Sequence, residues 1–101
     1  MFIELLEVAC PSELREAFMV RDADVWTAAL ARQPGFIDKE VWTCQDDPTR
    51  LIIVIRWETA DHWKAFPSAL AQELDQKMGD LLMPLTCHTY ALGRSTDWAA
   101  A

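Results

Sequence analysis

The sequence predicts an α+β sandwich in which a four-stranded antiparallel sheet carries helices on one face. Three observations lead there. Apolar periodicity switches between strand and helix in the order β-α-β-β-α-β. Turn signals at Pro34-Gly35 and Gln45-Asp46-Asp47-Pro48 cut the chain into short elements. The run Leu51 to Trp57 is apolar on both parities until Arg56, the pattern of a strand covered on both sides.

Phe2 to Ala9 forms the first strand. Pro11 and Ser12 open a helix, with Glu13 and Glu16 in its first turn, where carboxylates complement the helix dipole. That helix extends to about Gln33, before Pro34-Gly35. Phe36 to Cys44 and Arg50 to Glu58 form the second and third strands around the acidic turn. Thr59 caps a second helix, which Pro67 interrupts and Ser68 restarts. Leu70, Leu74 and Met78 give the restarted segment an apolar stripe, and Gly79 closes it. The last strand runs from Pro84 to Gly93. One domain over residues 1–94, with a tail at 95–101, is expected.

With right-handed crossovers this order closes as a ferredoxin-like sandwich. Both helices then lie on one face, and the other would expose Ile, Leu, Val and Trp side chains. Pairing of two such faces into a shared α/β barrel covers them, so a homodimer is expected.

Composition narrows the partners. Sixteen acidic against nine basic residues give a net charge of −7, which argues against nucleic acid. No apolar window is long enough for a membrane span, and the N-terminal FIELLEVA lacks the pattern of a secretory signal. Cys10, Cys44 and Cys87 form no CxxC and have no His at metal-finger spacing, so free thiols and a reducing, cytoplasmic setting are expected. No metal or other cofactor is expected.

Candidate site residues come from positions where chemistry and packing conflict. On the first helix, Leu14, Phe18, Val25, Trp26 and Ala29 form an apolar arc, and Asp22 falls near its middle. A carboxylate facing a core costs several kcal/mol, on the order of a lost hydrogen bond or more, unless it is paired. Asp22 can thus be a general base, or a member of a satisfied polar cluster with Arg15, Arg56 or His88. Trp26, one turn on, can stack on a flat substrate, with Phe18 beside it. His88 and Tyr90 share a parity with Thr86 and Leu92. They can form an acid/base pair or an interface hydrogen-bond cluster. Arg56 and Trp57 end the third strand on opposite faces. Trp57, Trp63 and Phe66 are candidate walls of a substrate pocket as well as core anchors, and Arg56 a candidate anion contact. His62, in the first turn of the second helix, has no second metal ligand at helical spacing. Trp98 either docks on the partner subunit or is mobile.

The pattern Trp26…Leu30…Pro34-Gly35-Phe36…Val41…Ile53…Trp57-Glu58-Thr59…Trp63-Lys64 resembles the antibiotic biosynthesis monooxygenase superfamily, the dimeric α/β-barrel proteins. Within it, the chain is similar to a small uncharacterised subgroup found in bacteria, prominently cyanobacteria. The resemblance covers Phe2 to about Leu92 and implies a homodimer. It also implies activities ranging from cofactor-free oxygenation of polycyclic phenols to haem degradation and isomerisation. The polyketide and haem-degrading members use an Asn beside a helix Trp, and this chain has no asparagine. Where the haem-degrading members carry a further Trp this chain has Phe66, and no His stands near Gln76 and Lys77. The resemblance thus implies a cofactor-independent monooxygenase for a small aromatic or polycyclic substrate. A non-catalytic module for a small ligand, haem included, and a structural or stress-related dimer are the alternatives.

Overall fold

The computed structural model describes residues 1–96, so Trp98 and most of the expected tail lie outside the described residues. Strands β1 (Phe2–Ala9), β2 (Phe36–Thr43), β3 (Arg50–Trp57) and β4 (Leu85–Ala91) form one antiparallel sheet in the order β2-β3-β1-β4. This is the ferredoxin-like arrangement, with the first and third strands at the centre.

The first helical run begins as a 3₁₀ turn at Ser12–Leu14 and continues as α1 (Arg15–Asp22). It then widens into a π turn (Ala23–Thr27) and closes as α2 (Ala28–Leu30). It stops three residues before the expected Gln33. Leu14 sits at its fraying start and is exposed rather than part of the apolar arc. The second run is α3 (Ala60–Lys64), Pro67 and α4 (Ser68–Met78). Thr59 caps α3 as expected: its Oγ1 accepts from the His62 amide at 3.2 Å and lies 2.7 Å from His62 Nδ1. Gly79, at φ +59°, ends α4 in a conformation that favours glycine.

The core lies between helices and sheet. Leu51, Ile53, Ile55 and Trp57 of β3 point under the helices with Val8, Phe18, Leu30 and Met78. Each such side chain contributes about 1.5–3 kcal/mol by leaving water. Phe36 packs edge-on to Trp57, and Phe2 stacks on Trp63 at 5.0 Å. The other parity of the sheet, with Ile3, Leu5, Ile52, Val54, Trp42 and Tyr90, bears no helix. Val54 is nevertheless buried, while Trp42 and Tyr90 stand 47% and 52% exposed. Among the described residues no helix is long and apolar enough to cross a membrane.

Candidate functional site

A cavity of about 310 Å³ lies between the helices and the sheet. Phe18, Trp26, Trp57, Trp63 and Phe66 give it aromatic walls, with Trp26 stacked on Phe66 at 5.9 Å. Buried Asp22, Ile53, Ile55 and Trp57 form its deep side, and exposed Leu82, Leu85 and Cys87 mark its mouth beside β4. That volume falls at the small end of the range for ligand pockets.

Asp22 is buried, as its place in the apolar arc predicts, and it is paired. Its partner is none of the candidates but Lys39, whose Nζ lies 2.6 Å from Asp22 Oδ2; the two side chains are only 4% and 7% exposed. Lys39 also donates to Thr27 Oγ1 at 2.8 Å. Asp22 and Thr27 are five residues apart, a separation of about 140° around an α-helix. The π turn at Ala23–Thr27 widens the coil and lets one ammonium reach both.

Lys39 reaches the cavity because of a bulge. β2 and β3 slip register between Phe36 and Asp38, so Phe36 and Lys39 both lie on the helix-facing side and Ile37 is the extra residue. Simple alternation from Phe36 would have put Lys39 on the opposite face. Across the sheet, one row reads Lys39, Ile55, Glu4, Thr89 from β2 to β4. Lys39 and Glu4 thus flank Ile55, two strand spacings apart, about 9–10 Å between their Cα atoms.

Glu4 was not singled out by the sequence, though it shares a parity with Phe2, Leu6 and Val8 and the strand is apolar on both sides. Burial raises its pKa above the ordinary 4.5. Hydrogen bonds from the Trp57 and Trp63 indoles and the charge of Lys39 oppose that shift. Trp57 Nε1 donates to Glu4 Oε1 at 3.3 Å. Asp75 of α4 also lines the cavity, and desolvation raises its pKa too. Cys87 is held up as a thiol by desolvation and by nearby Glu4.

His88, Tyr90 and Arg56 are not part of this cavity. In β4 it is Leu85 and Cys87 that face it, so His88 and Tyr90 point to the helix-free side. Arg56 lies on that side as well, bound to Asp38 and Glu40 at 3.0 Å each. The strand parity, which the sequence left open, decides all three. His62 packs against the Gly35 turn rather than into the cavity. Cys10, Cys44 and Cys87 are free.

A model of the antibiotic biosynthesis monooxygenase family matches residues 1–72, and the chain belongs to that family. Among solved structures, it resembles the monooxygenase from the gene ActVA-Orf6 of Streptomyces coelicolor, in complex with nanaomycin D. The TM-score is 0.79 at 12% identity, over 94% of this chain and 89% of that one. It also resembles the heme-degrader MhuD of Mycobacterium tuberculosis, with two hemes bound in its active site. There the TM-score is 0.78 at 14% identity, over 96% and 100% of the two chains. SnoaB, a cofactor-independent oxygenase from Streptomyces nogalater, aligns with TM-score 0.64 at 17% identity, over 93% and 92%. No curated protein sequence matches significantly. At these identities the structures establish the fold.

Proposed function

We propose that this protein is a cofactor-independent monooxygenase acting on a small planar phenolic or polycyclic substrate. The observation that carries this reading is Glu4: a half-buried carboxyl of raised pKa, facing an aromatic-walled cavity across from a buried ammonium. Glu4 takes the phenolic proton, and the electron-rich anion then reacts with O₂. For an anthrone-like substrate, a CH₂ becomes C=O. One oxygen atom enters the ring carbon and the other leaves as water. The substrate supplies all four electrons, so no outside reductant enters. Lys39 spends two of its three protons on Asp22 and Thr27. The remaining one can stabilise negative charge on reduced oxygen. Asp22 holds Lys39 in place and is a positioning residue. Trp26, Trp63 and Phe66 wall the ring.

The residues present suit a haem poorly. Three carboxylates (Glu4, Asp22, Asp75) and one ammonium face the cavity, and a haem brings two propionates of its own. Neither histidine lines the cavity, and Cys87 is held as a thiol rather than a thiolate.

The helix-free face is the expected dimer surface. Exposed Trp42 and Tyr90 beside apolar Ile3, Leu5 and Ile52 support a homodimer with His88 and Arg56 at the interface. Free thiols at Cys10, Cys44 and Cys87 fit a reducing, cytoplasmic setting. Sedimentation of a single-chain species at micromolar concentration would refute the dimer.

Oxygen uptake with a panel of anthrones and hydroquinones tests the activity. The expected result is turnover that falls at least tenfold in Glu4→Gln and Lys39→Met and persists in Trp42→Ser. Uptake indifferent to Glu4→Gln would remove Glu4 as the base. No uptake with any member would remove the oxygenase reading.

A further inference from the structure

We infer that the cavity selects aromatic ligands carrying a basic amine and rejects those carrying a carboxylate. This deepens the substrate class of the proposed oxygenase and rests on the same cavity.

The grounds are its charge and its walls. Of the four ionisable groups other than thiol that line it, three are acids. Lys39 is committed to Asp22 at 2.6 Å, so that pair is close to neutral as a unit. Glu4 and Asp75 remain, and among the described residues neither has an ion-pair partner within 4.0 Å. They sit on opposite layers of the cavity, half-buried Glu4 on strand β1 and exposed Asp75 at the cavity's rim on helix α4, so a ligand between sheet and helices has a carboxyl on either side. Trp57, Trp63 and Phe66 line the same cavity, and the first two approach Glu4 closely enough to hydrogen-bond it. Aromatic faces attract an ammonium through their quadrupole, with Trp the strongest, and they do so best where water is excluded. Acid and aromatic groups therefore act in the same direction on a cation.

Oxidation chemistry leaves this preference intact. A phenolic proton passing to Glu4 neutralises one carboxylate and creates one phenolate, so the charge within the cavity does not change. A ligand ammonium stays favourable before and after the transfer. A ligand carboxylate would face Glu4 or Asp75 throughout, with only a committed lysine to offset it.

The test uses probes that the enzyme cannot oxidise, which separates it from the activity. Binding of 1-naphthylmethylamine, 1-naphthalenemethanol and 1-naphthaleneacetate to the full chain at pH 7.5 is followed by isothermal calorimetry. The expected order is amine, then alcohol, then acetate, with at least tenfold between the first and last. Glu4→Gln and Asp75→Asn should each shrink that ratio severalfold, whereas Asp46→Asn, in the exposed β2–β3 turn, should leave it unchanged. A ratio near one, or an acetate that binds more tightly, overturns the inference. So does an equal loss of preference in Asp46→Asn, which would assign it to the overall charge of −7. Amine selectivity without oxygen uptake would leave this inference standing and the oxygenase reading refuted. Uptake restricted to carboxylate-bearing anthrones would do the reverse.

Discussion

Replacing Lys39 with methionine removes the ammonium but keeps most of the apolar stem. Asp22 then lies in a site where its side chain is 7% exposed, with its 2.6 Å partner gone. Breaking a buried pair from one side costs about 3–5 kcal/mol, because the remaining charge has neither water nor partner. Thr27 Oγ1, which accepts from Lys39 in the native protein, loses that donor as well. The double variant Lys39→Met/Asp22→Leu removes both charges and fills the space with carbon. Such replacements are about neutral or stabilising by 1–4 kcal/mol. Urea unfolding read by tryptophan fluorescence gives both quantities. With a slope of about 1.5 kcal/mol/M, the single variant should lose roughly 2–3 M in midpoint. The double variant should recover most of that loss, and the cycle should return a coupling well above 1 kcal/mol. A single variant within about 1 kcal/mol of the parent would refute the buried pair. The double variant also separates stability from chemistry: a folded protein that no longer takes up oxygen places the Lys39–Asp22 pair in the reaction.

Glu4→Gln should respond to pH in the opposite way to a salt-bridged acid. The folded pKa of Glu4 is raised, so the protonated form is favoured by folding, and the parent loses stability as pH rises through that folded value. The variant should therefore unfold at a higher temperature than the parent at pH 8. The difference should vanish below about 4.5, the ordinary value, where Glu4 is protonated in both states; equal melting temperatures at both pH values would contradict it. Gly35→Ala meets two obstacles: φ is +80°, and an added Cβ would fall 2.1 Å from His62 Cγ. The conformation alone costs about 1–2 kcal/mol, and the clash adds to it. Gly35→Ala in a His62→Ala background should cost only the first part, so a full loss there would show that the clash is unimportant. Thr59→Ala should cost about 1 kcal/mol through loss of the α3 cap, read as a midpoint shift in urea.

The sequence carried the strand and helix order because each boundary had a local chemical cause. Pro34-Gly35, the Asp46-Asp47-Pro48 turn, Thr59, Pro67 and Gly79 each act on their own neighbours, and the observed elements change over around them, although the first helical run already stops at Leu30. Half of the site was legible in the same way. Asp22 in an apolar arc is a conflict visible in one helix, and Trp26, Trp57, Trp63 and Phe66 are large aromatics that must be buried somewhere. What stayed hidden depended on relations between elements. Lys39 looks like an ordinary outward lysine in FIDKEVWT until the bulge after Phe36 turns it inward. Glu4 looks no different from Glu7 three residues away, since only sheet parity separates a cavity wall from the surface where Glu7 meets Arg50. His88, Tyr90 and Arg56 failed as cavity residues for that same reason. A strand apolar on both sides gives no sign of which side its helices occupy.

Two local irregularities, rather than the regular elements, bring the polar groups of this site together. An unbroken α-helix would separate Asp22 from Thr27 around its circumference, and an unbroken β2 would send Lys39 to the other face. The π turn and the bulge each insert extra backbone, and both act on the same ammonium. Both also serve the core: the bulge lets Phe36 and Val41, of opposite sequence parity, pack on the same side, and the π turn lies between Phe18 and Leu30, which an unbroken α-helix would set about 120° apart. A fold seeking only stability would do as well with carbon in place of the pair, since a buried ion pair adds little over packed hydrophobes. Packing therefore accounts for the two backbone irregularities but not for the buried Lys39–Asp22 pair that they also bring together.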